Sequence, residues 1–282
     1  TGPVVFFGTD FDYVQGGSLE NSTLTGNPNW MTREGDNYNG IRLEYTNGQW
    51  IYNNTIRNYG GDTDTGGGGI DHNHSGITTY KWENLTVENN VFDNCGAGMY
   101  LKATQTTTRE VGVNTIRYNI FRNNSKGIQV HRAPNTATEP IMIYQNVFHS
   151  NVSGVRILMF NDATDPTHVK VFSNTFDGQS ESALVIGTSG NMPVGAGYVW
   201  WNNIVNGGPF ALIVQHPLSN ITAERIDAEH NMYSGVATFA ELAGSNVSFA
   251  SWQSTYRMDV GDGAGGVAGV TTSSASFVNQ GA

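Results

Sequence analysis

The sequence predicts an all-β parallel solenoid of about eight coils with a C-terminal cap. Three observations carry this. A short motif with a fixed asparagine recurs along most of the chain, a second apolar strand is locked to it, and no helical periodicity separates the two. Composition agrees, because 13% charged residues and 35 glycines among 282 residues do not suit helical bundles. Aromatics at 11% are enough to build a core, which excludes a disordered chain.

The first element reads Ile51-Tyr-Asn-Asn54-Thr-Ile56, Val87-Glu-Asn-Asn90-Val-Phe92, Ile116-Arg-Tyr-Asn119-Ile-Phe121 and Ile143-Tyr-Gln-Asn146-Val-Phe148. It continues through Asn174, Asn203 and Asn231, with a degenerate copy around Ser22, in steps of 27 to 36 residues. The second element begins at Gly40, Gly69, Gly98, Gly127, Gly154, Ala183 and Ala211, in steps of 27 to 29. Propeller blades need longer repeats, and leucine-rich repeats a leucine pattern that is absent. The recurrent asparagine is expected to hold a left-handed corner and to bond from rung to rung. Phe92, Phe121, Phe148 and Phe176 form a column expected inside the coil. Residues 1–235 are read as the solenoid and 236–282 as a cap over its end, because unpaired strand edges must be protected. Thr238-Phe-Ala-Glu-Leu and Ser248-Phe-Ala-Ser-Trp252-Gln are read as short helical turns, with Ser248 as N-cap.

The formal charge of −10 opposes a nucleic-acid partner, which needs a basic footprint. The single cysteine, Cys95, excludes an intrachain disulfide, and no apolar run reaches the ~18 residues of a membrane span. No feature sets an oligomeric state.

Alternation along the second strand turns Ile41/Leu43, Met99/Leu101, Ile128/Val130 and Val155/Ile157 inward. The outward columns are then Arg42, Asp71, Tyr100, Gln129, Arg156 and Glu44, Asn73, Lys102, His131, Leu158, with His74 and Arg132 at the strand ends. Ionisable and aromatic side chains on one rigid face, walled by the loops 104–111, 133–140, 160–167 and 188–196, suit an extended polymer. His72 points inward and reads as a buried histidine.

These repeats resemble the right-handed parallel β-helix proteins of the pectate-lyase-like group, over roughly residues 15 to 235. Gly98-Met-Tyr-Leu-Lys102-Ala and Gly127-Ile-Gln-Val-His-Arg132-Ala are similar to the alginate lyase and chondroitinase B family. That resemblance implies a lysine base at Lys102 and an assisting arginine at Arg132. No cofactor is expected, because the chain departs from the family's calcium-binding members: these place acidic residues shortly before the lysine, where this chain has Cys95 and Ala97. The expected activity is binding and β-elimination of an anionic, uronate-containing polysaccharide, outside the cell or in the periplasm. Cations must first neutralise the uronate carboxylate, a role for Arg132 and Arg156, before Lys102 removes the neighbouring proton. Tyr100 or His131 then protonates the leaving oxygen, while Arg42, Glu44, Asp71, Asn73 and His74 hold the chain. Two other readings stand beside it. Asp71-His72-Asn73-His74 is similar to the Asp-Pro-His element of mannuronan C5-epimerases but lacks its proline, and a glycan-binding or adhesive β-helix needs no catalysis.

Overall fold

The computed structural model describes residues 4–7, 14–27, 38–60, 74–102, 112–131, 133, 135, 137–158, 167–187, 197–215, 226–256, 258 and 270–272. Among these, three sheets of 11, 9 and 8 strands run along the molecule. Sheet A holds the long strands Asn39–Asn47, Ser75–Glu83, Ala97–Lys102, Lys126–His131, Ser153–Leu158 and Ser182–Gly187, among others. Sheet B runs from Ser18–Glu20 to Ile226–Glu229, and sheet C from Thr23–Thr25 to Val270–Thr272. Neighbouring strands are parallel except at the end of sheet A, where Ser245–Val247 folds back antiparallel on Thr238–Leu242. The fold is the all-β parallel solenoid that the repeat predicts.

Each coil carries three strands where the repeat suggested two. The asparagine motif does not form one strand; it turns a corner from sheet B to sheet C, as in Trp50–Tyr52 and Thr55–Arg57. The left-handed residue at that corner is the one before the repeated asparagine: Asn53, Asn89, Tyr118, Gln145, Ser173, Asn202 and His230 all have φ of 52–59°. The repeated asparagine itself points inward and is buried. Asn119 shows the pattern: its Nδ2 donates to Val87 O and Arg117 O at 2.9 Å each, and its Oδ1 accepts from Asn90 N at 2.9 Å. Every polar atom of the corner is thereby satisfied without water.

Asn54, Asn90, Asn119, Asn146, Asn174, Asn203 and Asn231 form this ladder, seven asparagines and hence six steps. The regular solenoid thus makes about six full turns, slightly fewer than the eight coils expected. At its N-terminal end the corner residue is Ser22, whose short hydroxyl bonds Glu20 O and cannot carry the ladder on.

The core follows from the same alternation. Phe92, Phe121, Phe148 and Phe176 stack with ring centroids 4.6–4.9 Å apart and planes within 9°. This is the rung spacing itself, so each ring sits on the one below. Gly127 and Gly154 face these rings, and an added Cβ would come within 2.5 Å of Phe148 and Phe176 respectively. Glycine is the second residue of these strands because the aromatic stack leaves no room for a side chain there.

A second ladder at the corner from sheet C to sheet A runs Asn124, Asn151, Gln179, and Cys95 precedes it. Burial pushes the Cys95 thiol up to about 12, so it stays protonated. Its Sγ lies 3.9 Å from Ile56 O and 3.6 Å from Asp93 O, whereas Asn151 Nδ2 donates to the equivalent Phe121 O at 2.9 Å. Cys95→Asn is expected to extend the ladder and stabilise the fold by about 1 kcal/mol. A lower denaturant midpoint for that variant would show that the site cannot accept the amide.

The tail differs from its expectation in one part. Thr238–Leu242 is a strand of sheet A, not a helical turn, because its alternating Phe239 and Ala240–Leu242 pack on the preceding coil. Phe249–Tyr256 is the helix, with Ser248 Oγ accepting from Ser251 N at 3.2 Å as its N-cap. The helix buries its own Trp252 fully. No helix among the described residues is long and apolar enough to cross a membrane.

Candidate functional site

The outer face of sheet A is where sequence and structure converge. Its inward positions, Ile41, Leu43, Ile77, Met99, Leu101, Ile128, Val130, Val155 and Ile157, are buried to 1% exposure or less. Strict parallel register then stacks the outward residues in two columns. One runs Arg42, Thr78, Tyr100, Gln129, Arg156, Val185. The other pairs Glu44 with Tyr80, and Lys102 with His131, Leu158 and Gly187 in turn.

Tyr100, Lys102, His131, Arg42, Glu44 and Arg156 therefore share one face, as expected. The second coil is the exception. Its strand is Ser75–Glu83, not the segment starting at Gly69, so Thr78 and Tyr80 stand where Asp71 and Asn73 were expected. Asp71, His72 and Asn73 lie outside the described residues, as does Arg132. His74 does not join these columns. It is 2% exposed one residue ahead of the strand, its carbonyl accepting from Ala97 N and its ring edge-on to Tyr38. The loops 104–111, 160–166 and 188–196 also lie outside the described residues.

Within the face, Tyr100 and His131 are in direct contact. Tyr100 Oη is 2.6 Å from His131 Nδ1, and the rings lie nearly parallel with centroids 5.9 Å apart. Both residues are 3% exposed, so their hydrogen bond is shielded from bulk water. Lys102 is only partly buried, its Nζ 5.7 Å from the Tyr100 ring and 6.0 Å from the Tyr80 ring. Arg42 also lies over the Tyr80 ring at 5.1 Å and forms an ion pair with Glu44 at 2.5 Å. Aromatic faces beside the cations hold them in place without neutralising them. Arg156 Nε is buried with no hydrogen-bond partner among the described residues. Among the described residues, the two outward columns thus carry Arg42, Lys102 and Arg156, with Glu44 paired to Arg42 and Glu241 at the far end, on a chain whose overall charge is −10.

Tyr80 is the functional candidate that the sequence reading missed. The signal was present: Asn54 to Asn90 is 36 residues, seven more than the next step, and Gly76-Ile77 lies seven beyond Gly69-Ile70. Placing the seven extra residues ahead of the strand would have found it. Among the described residues, no three His, Cys, Asp or Glu side chains converge as metal ligands do.

A three-sheet solenoid with stacked asparagine and phenylalanine columns defines a parallel β-helix, and one of its sheets carries a cationic, aromatic face. The chain belongs to the right-handed β-helix family, whose model, described as "Right handed beta helix region", matches residues 8–164. The pectate-lyase-like architecture read from the repeats is this fold. No curated protein matches the chain. Among solved structures it is similar to a hyperthermoactive exopolygalacturonase from Thermotoga maritima, at 14% identity and a TM-score of 0.47. The similarity covers 74% of this chain and 52% of that one, so the chain spans about half the length of that enzyme.

Proposed function

We propose that this protein binds an anionic, uronate-containing polysaccharide along the outer face of sheet A and cleaves it by β-elimination. The observation that supports this reading most is the adjacency of Lys102 to the buried Tyr100–His131 pair, with Lys102 and His131 directly paired on neighbouring rungs. Elimination needs a base for the proton beside the carboxylate, cations for that carboxylate, and an acid for the leaving oxygen. Lys102 is the base, Arg156 and Arg132 meet the carboxylate, and the Tyr100–His131 pair supplies the proton. Arg42, Glu44 and Tyr80 hold the sugar chain at the far end of the face. Arg132 keeps its proposed role from the sequence pattern, whereas Asp71 and Asn73 lose the column positions on which theirs rested, now held by Thr78 and Tyr80.

Glycoside hydrolysis is less well supported by this face. It requires two carboxyl groups flanking one bond, roughly 5–10 Å apart. Among the described residues, the outward columns hold Glu44 near one end and Glu241 at the other. A secreted or periplasmic setting goes with the proposal, because such polymers are met outside the cell.

The burial of Tyr100, Gln129 and His131 favours a second reading, a glycan-binding β-helix without turnover. One screen separates the two. Uronate polymers and neutral glycans are assayed for binding and for the ultraviolet absorbance of unsaturated sugar ends. Absorbance growing only with uronate polymers supports elimination; binding without it supports the second reading; neither result removes both. Tyr100→Phe tests the relay: it keeps the ring but removes the hydroxyl, and turnover should fall about 10²- to 10⁴-fold with little change in binding. Turnover at the wild-type rate would show that the proton comes from elsewhere.

A further inference from the structure

Sheet C carries a group of side chains that the groove does not use. His149 ends the strand Val147–His149, and Ser150 follows it at the corner with φ of 51°, a backbone conformation that side chains rarely adopt. Ser150 Oγ lies 3.2 Å from His149 Nε2, and His149 Nδ1 lies 2.9 Å from Asp177 Oδ2 on the neighbouring rung. Asn206, one rung further, donates to Asp177 Oδ1 at 2.8 Å.

The tautomer follows from chemistry. An ionised Asp177 only accepts, so Nδ1 carries the imidazole proton and Nε2 is left to accept from the Ser150 hydroxyl. That is the arrangement of nucleophile, base and orienting carboxylate which acyl transfer requires, and it is recognised by geometry and roles, not by sequence order. Room for a substrate is also present. The corner positions on the three following rungs are Gly178, Gly207 and Gly235, which carry no side chain, while Asn123 holds the corner on the preceding rung. A Cβ placed on Gly178 would meet only Ser150 Oγ, at 3.8 Å. The charged group above His149, Arg122, is turned to Asp93 at 2.9 Å.

We infer that Ser150, His149 and Asp177 form a nucleophilic site that hydrolyses small acyl esters on the glycine-lined corner of sheet C. Ser150 Oγ attacks the ester carbonyl carbon and its proton passes to His149 Nε2. The carbon–oxygen bond to the alcohol breaks, and the alcohol leaves with that proton. Water then attacks the acyl-serine, gives a proton to Nε2, and the acid departs as Ser150 regains it. The substrate class is limited by the backbone. Ser150 N and Asn151 N already donate to Asp177 O and Gln179 Oε1, so the corner offers no main-chain oxyanion hole. Such donors contribute about 10²- to 10³-fold, which suits the site to activated or acetyl esters and not to amides.

The test uses p-nitrophenyl acetate as substrate and a fluorophosphonate probe followed by peptide mapping, on the full chain. The expected result is labelling of Ser150, with hydrolysis at least tenfold faster than in Ser150→Ala. Asp177→Asn should slow hydrolysis through the wrong tautomer, and Ser150→Cys should still form an acyl-enzyme. All these side chains are at the surface, and unchanged thermal unfolding confirms that each variant folds. Hydrolysis that persists in Ser150→Ala but is lost in His149→Ala would assign the chemistry to the imidazole alone and overturn the proposal. Labelling anywhere but Ser150 would overturn it as well.

Discussion

Lys102→Ala is expected to abolish elimination while leaving affinity for a uronate polymer within a few-fold of wild type. The reason lies in when the lysine acts. As the base it takes the proton only as the carbanion-like state forms, so its loss falls on the transition state and not on the bound substrate. General-base catalysis is worth about 10²- to 10⁴-fold, and without it the reaction should fall below detection in an absorbance assay. Lys102→Arg sharpens the result. It keeps the positive charge over Tyr80 and Tyr100, yet a guanidinium does not deprotonate in proteins, so it too should be inactive. A purely electrostatic role predicts the opposite, with Lys102→Arg active and Lys102→Ala dead. Wild-type turnover in both variants would remove Lys102 from the mechanism.

Asn146→Ala should produce the largest loss of stability among single changes on the ladder. Asn146 Oδ1 accepts from both Asn119 N and Asn119 Nδ2 at 3.0 Å, and its Nδ2 donates to Ile116 O at 2.9 Å and Tyr144 O at 3.0 Å. Alanine leaves one buried N–H and two buried carbonyls unpaired, in a place where water cannot reach. A single unpaired buried group costs about 1–3 kcal/mol, and part of that is recovered by relaxation, so about 3 kcal/mol is expected for the set. That corresponds to a thermal midpoint lower by roughly 5–10 °C. Asn146→Asp is the companion variant, keeping the shape and the acceptor but placing a carboxylate beside two carbonyl oxygens. It should be worse than alanine at neutral pH and improve as the carboxyl is protonated on acidification. Equal midpoints for wild type and Asn146→Ala would show that the ladder follows the fold without supporting it.

Much of this architecture was legible before any coordinates. A solenoid stacks equivalent residues, so a property needed once per turn must reappear once per repeat. Asn54, Asn90 and Asn119 therefore announce a corner, and Phe92, Phe121 and Phe148 an inner column. The alternation rule likewise placed Arg42, Tyr100, Lys102, His131 and Arg156 on one face, because period two is a local property of an extended chain. What local rules do not contain is the length of the segment between two elements. The step from Asn54 to Asn90 reveals seven additional residues but not on which side of the strand they sit. Only the pairing of Arg42 with Thr78 and Glu44 with Tyr80 decides that, since register is a contact between coils. The same limit applies to the corners. Which residue takes the left-handed turn, and that the asparagine beside it turns inward, depends on where the carbonyls of the previous coil lie. His149 and Asp177 tell it most plainly. They are 28 residues apart in sequence and 2.9 Å apart in space, and nothing nearer than the next rung of the solenoid brings them together.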